Sequence, residues 1–180
     1  VSDLDTYGLM NHVDQSERDE ALLAFKNIYM PAIGSGLVMD YLSQTGLDAL
    51  KGSGVITKAR EEYKSDIEYA SDNFSKQMRA ASAVIQAEIG SRILYALHGT
   101  FDSHTNGIAL QEGVLGDVSN GIRDFYSDIK AANKGDDVLI FAFSEFGRRV
   151  KDNGSGTDHG AGGVAFVIGD SVQGGQYGEY

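Results

Sequence analysis

The stretch that decides how this chain is read is VLIFAFSEFGRRVKDNGSGTDHG, residues 138–160. An apolar run, Val138 to Phe143, leads into an acid, an arginine pair and a glycine-rich segment ending in Asp158-His159. Short apolar runs bounded by turn signals predict buried strands. The run therefore predicts a strand that delivers Glu145 and Arg148 at its exit. The glycines that follow predict a loop able to fold closely around a ligand and present His159.

Working outward, the run GVAFVIGD, residues 163–170, predicts another strand, and SRILYALHG, residues 91–99, predicts an earlier one. Between 99 and 138 the apolar stripe Val114, Val118, Ile122, Phe125 and Ile129 predicts a long helix closed by the NKGDD turn. A helix crossing between apolar strands is the pattern of parallel α/β architecture. The expected fold is α/β, with a mostly parallel sheet and flanking helices.

The first half reads as helical. Ala21, Phe25 and Ile28 share a helical face, acids occupy that helix's first turn, and Pro31, the sole proline, ends it. A second helix is expected from Gly36 to Leu50, broken by the GSG at 52–54, and residues 57–70 are charged and helix-prone. In NFSKQMRAASAVIQAEIG, residues 73–90, Phe74, Met78, Ala81 and Ile85 repeat at helical spacing. Asp72 or Asn73 can cap that helix and Gly90 stop it.

With 180 residues and 42% apolar content, the chain is long enough to bury a core as one domain. Its net charge of −11 argues against nucleic acid, whose phosphates call for clustered Lys and Arg. No cysteine is present, so neither disulfides nor thiolate metal sites are available. No apolar run approaches the roughly 20 residues that span a bilayer, so no transmembrane segment is expected. The chain opens on Val1 and ends at Tyr180 after a glycine cluster. A processed or partial chain is the expectation, with the remainder of a parent chain or a homo-oligomer as partner.

In open α/β sheets ligands bind beyond the carboxyl ends of the strands. There the chain offers His98, Asp102 and His104, then Glu145 and Arg148, then Asp158 and His159. Carboxylate oxygens with imidazole nitrogens make a donor set for a divalent ion. Blander readings stand beside this one. His98 can be a strand-end packing residue, and Asp102 with His104 a cap and a surface residue. Glu145 can simply pair with Arg148 or Arg149, and Asp158 can organise a turn. A calcium loop starting at Asp152 is rejected, because its third and twelfth positions are Gly154 and Gly163.

The order of GTFDSHTN, DFYSDIKAA, VLIFAFSEFGRRVKDNGSGTDHG and GDSVQGGQYGEY resembles the DUF1501 family. The match is closest from Tyr69 to Tyr180 and looser over residues 1–68. That family is similar to the alkaline phosphatase and sulfatase superfamily. The resemblance implies part of an alkaline phosphatase-like three-layer sandwich and a metal centre holding one or two ions (Zn, Mn, Mg or Ca). It implies Asp102, His104, Glu145 and His159 as metal ligands, Asp158 as a further ligand or as a partner orienting His159, and Arg148 facing a small anionic ester substrate. Export to the periplasm or extracellular space is implied as well. The superfamily's nucleophile, a Ser or Thr after an early strand, has no counterpart in this chain and is expected upstream of Val1. Two functions follow as expectations: a hydrolase of phosphate or sulfate esters, or a non-catalytic relative serving an extracellular assembly.

Overall fold

The computed structural model describes residues 13–178. Within it lie four helices: α1 (Gln15–Tyr29), α2 (Leu37–Glu62), α3 (Asn73–Gln86) and α4 (Gly107–Ala131). Four short strands complete it: β1 (Ile140–Ala142), β2 (Gly147–Asp152), β3 (Thr157–Gly160) and β4 (Phe166–Ile168). The architecture is mixed α/β. No helix among the described residues is long and apolar enough to cross a membrane.

The helices start where local chemistry directs. Asp14 caps α1 by accepting from the Glu17 amide, and Asp72 caps α3 by accepting from Ser75. Pro31 sits in a 3-10 turn at the end of α1, as expected of a residue that cannot continue the ladder. Two helix boundaries differ from expectation. The glycines at 52 and 54 do not break α2, which runs through them to Glu62; packing around the buried Ser53 and Ala59 offsets their low propensity. Residues 63–72 leave the helix and turn back toward α3. That helix itself ends at Gln86, before Gly90, and Glu88 takes a left-handed φ of 51° just beyond it.

The main core lies between α3 and α4. Phe74 and Met78 meet Phe125 and Ile129, with Val118, Ile122, Val138 and Ile140 packed around them. The helices approach closely because Gly121 lies under the Phe74 ring; a Cβ there would sit 2.7 Å from a ring carbon. A second tie is polar. The buried Asp128 carboxylate of α4 accepts hydrogen bonds from Tyr63 Oη, Ser65 Oγ, Tyr69 Oη and Ser82 Oγ, at 2.5, 2.6, 2.9 and 2.6 Å. It fastens the 63–72 connection and α3 onto α4.

The expected parallel sheet, and with it the three-layer sandwich, is not formed among the described residues. Both sheets are two-stranded and antiparallel: β1 pairs with β4 and β2 with β3. Ile140 faces Ile168 and Ala142 faces Phe166, so β4 returns directly against β1. The expectation failed because SRILYALHG forms no strand. Ile93 is 91% exposed and Tyr95 74% exposed, and both backbone groups of Leu97 pair with the side chain of Gln77. Without that strand the α4 crossover has nothing to make parallel. The glycine-rich segment read as a loop is instead a hairpin, β2–β3, nested between β1 and β4.

Candidate metal centre

The hairpin is built by its turn. The Asn153 side-chain oxygen accepts from the amides of Ser155 and Gly156, and the Asn153 amide donates to the Gly156 carbonyl at 2.9 Å. Gly154 takes φ 100°, which the turn requires. At the hairpin's base Arg148 faces His159 across the pair, and Gly147 faces Gly160.

The hairpin docks on the segment leading into α4. The amides of Asn106 and Gly107 donate to Ser155 Oγ and the Ser155 carbonyl, at 3.0 and 3.2 Å. Asn153 Nδ2 reaches the His104 carbonyl at 3.3 Å. Gly156 permits this approach, because a Cβ there would stand 3.1 Å from the His104 carbonyl oxygen. Docking brings β3 against residues 101–104.

Asp102, His104 and His159 converge as a result. His159 Nε2 lies 2.8 Å and His104 Nε2 3.1 Å from the same oxygen, Asp102 Oδ1. Ligand atoms from these three residues all fall within 4.8 Å of one another, and the residues are exposed. With metal–ligand bonds of about 2.0–2.1 Å, tetrahedral neighbours lie about 3.3 Å apart. The two Asp102 contacts are a few tenths of an ångström shorter than that spacing, so side-chain adjustment about Asp102 is what holding one ion would require.

The surrounding groups orient the trio. Asp158 Oδ1 lies 3.4 Å from His104 Nδ1, while Asn153 Nδ2 donates to that same oxygen at 3.1 Å. A carboxylate on Nδ1 leaves Nε2 facing the site, the usual arrangement behind a metal-binding histidine. The Phe146 ring stacks on His159, with centroids 4.3 Å apart and planes 17° apart. The Asp102 carboxyl is held below its ordinary range, first by its hydrogen bond to His159, then by the charges of His104 and Arg148. Asp158 is held low by Asn153 and His104.

Of the six expected site residues, Asp102, His104 and His159 meet. Asp158 stands behind His104, on its Nδ1 side. Glu145 is exposed and does not join the group of ligand atoms. Arg148 has both terminal nitrogens on backbone carbonyls, those of Thr157 and Phe101, the latter at 2.7 Å. His98 is a packing residue, seated between the Phe74 and Phe101 rings with Nε2 3.4 Å from Asp117. Sequence reading missed Asn153 and Phe146. The Asn-Gly step was a visible turn signal for the first; nothing local marked the second.

The family model described as a protein of unknown function (DUF1501) matches residues 3–180, and the chain belongs to that family. No curated protein and no solved structure matches it.

Proposed function

We propose, with membership of the DUF1501 family as premise, that the chain carries a divalent-metal site at Asp102, His104 and His159 suited to hydrolysis of phosphate or sulfate esters. The kinship proposed is with the alkaline phosphatase and sulfatase superfamily, in an exported protein. One observation carries this reading: both imidazole Nε2 atoms point to a single carboxylate oxygen, at 2.8 and 3.1 Å, on an exposed surface. Two nitrogen donors and one carboxylate suit Zn or Mn better than Mg or Ca, which prefer oxygen throughout. Three protein ligands leave a coordination position free for a substrate oxygen.

A bound ion supplies Lewis acidity, offsetting negative charge that builds on the ester oxygens. The chain's own residues do the holding. Asp102 supplies the anionic ligand, Asp158 keeps His104 Nε2 turned to the site, and Phe146 fixes the His159 ring. A second reading is a non-catalytic relative in which the site is structural. It is favoured by Arg148, whose terminal nitrogens are engaged with carbonyls, so that the arginine expected to face an anion is occupied.

Calorimetric titration of the protein with Zn²⁺ and Mn²⁺ tests the site. About one ion per chain is expected, with at least about a tenfold loss of affinity in Asp102→Ala and His159→Ala, the magnitude seen for perturbed metal sites. Full affinity in both variants rules out these ligands. Metal-dependent turnover of p-nitrophenyl phosphate or sulfate, lost in Asp102→Ala, supports the hydrolase. Binding without turnover by the complete gene product favours the second reading.

A further inference from the structure

We propose that Arg148 is a positioning residue, whose guanidinium sets the distance between the two segments that carry the metal ligands; the inference rests on the metal-site reading above. The ligands come from places far apart in sequence, Asp102 and His104 before α4 and His159 on β3. The turn end of the hairpin is fastened to residues 104–107 through Asn153 and Ser155. Its base, where His159 sits, needs a separate fastening.

Arg148 provides it at three points. One terminal nitrogen donates to the carbonyl of Phe101, the peptide immediately before Asp102, at 2.7 Å. The other donates to the carbonyl of Thr157, two residues before His159. Arg148 Cζ also lies 5.1 Å from the centroid of the Phe146 ring, whose ring stacks on His159. One planar group thus touches the neighbour of Asp102, the strand of His159 and the ring that orients His159. Its own backbone is anchored to Gly162 in both directions, at 2.6 and 3.0 Å, so the side chain departs from a fixed point.

The chemistry calls for arginine. Its rigid fork presents divergent N–H groups to two acceptors while its plane rests on an aromatic face. Lysine keeps the charge, but as a compact ammonium on a flexible stem it does not reproduce that bracket. A residue that only bound an anionic substrate would leave metal affinity unchanged when replaced. A residue that only stabilised the fold would lower the melting temperature without altering the coordination geometry.

The experiment is a Co²⁺ titration of the purified protein and of Arg148→Met, Arg148→Lys and Asp102→Ala, read by the visible d–d bands, with circular dichroism as a folding control. Wild type is expected to develop the bands and Asp102→Ala to lose them. Arg148→Met is expected to bind about 10- to 100-fold more weakly, the range for groups that orient ligands, with shifted band positions and native dichroism. Arg148→Lys is expected to lose most of the same affinity. If Met at 148 unfolds the chain, the lysine variant carries the test. Wild-type affinity and spectrum in either folded variant overturn the inference while the metal site stands. Absence of bands in wild type overturns the metal site and, with it, this role for Arg148.

Discussion

Asp128 is where a single substitution should cost the fold most. Four hydroxyls, those of Tyr63, Ser65, Tyr69 and Ser82, donate to its carboxylate, and Asp128 is 3% exposed. A hydrogen bond to a charged group contributes about 1.5–3 kcal/mol net, and an orphaned buried partner costs about 1–3 kcal/mol. Asp128→Ala strands all four donors. Tyr63, Ser65 and Tyr69 are half-buried and recover water, whereas Ser82 is fully buried and keeps only Gln86 Nε2 as a neighbour. The four contributions share one acceptor and do not add. About 3–5 kcal/mol is therefore expected for Ala, and about 1.5–3 kcal/mol for Asn, whose single oxygen retains two donors. Burial pushes the Asp128 carboxyl up, but the hydroxyls of Ser65, Ser82, Tyr63 and Tyr69 outweigh it and leave it below its ordinary value. A depressed folded-state value means this stabilisation is present above about pH 4, the unfolded carboxyl value, and is lost as pH falls through the folded one. The assay is urea unfolding followed at 222 nm at pH 7 and again at pH 3. The gap between wild type and Asp128→Asn should narrow at the lower pH. A loss below about 1 kcal/mol for Asp128→Ala at pH 7 would refute the account of a buried, fully engaged carboxylate.

Burial and the Asp128 bond push Tyr63 up to about 12, so its contribution is intact below the unfolded value of about 10 and fades as pH rises toward 12. Alkaline titration of wild type against Tyr63→Phe should show wild type losing more stability across that window, because Tyr69 and Tyr126, also pushed up, titrate in both. At the base of the hairpin a Cβ on residue 147 would stand 2.6 Å from the carbonyl oxygens of Gly160 and Gly162. Gly147→Ala is accordingly expected to break the β2–β3 register and weaken Zn²⁺ binding more than about tenfold in the calorimetric titration, with α-helical dichroism retained. Because α2 runs through Gly54, and a Cβ there meets nothing within 4 Å, Gly54→Ala should stabilise the protein by about 0.5–1 kcal/mol in thermal unfolding.

Helices α1, α3 and α4, and the start of α2, were legible in the residues because their causes are local. Asp14 and Asp72 cap, Pro31 stops, and the apolar stripes of α3 and α4 face each other through Phe74, Met78, Phe125 and Ile129. The motif order that marks the family was legible too, and so were Asp102, His104 and His159, though only as members of a wider candidate set that also held Glu145 and Asp158. Strand pairing was not. An apolar run such as 91–99 carries no information about what lies beside it, and here its backbone meets side chains, Gln77 at Leu97 and His98 at Gly99, with no strand beside it. Whether Glu145 or Asp158 stands beside the histidines depends on how a hairpin docks on a segment some fifty residues away. That docking rests on contacts at Gly156, Ser155 and Arg148, whose meaning exists only in three dimensions. Periodicity and caps act over a few residues and show in sequence; register and convergence join distant residues, and only tertiary packing chooses among them.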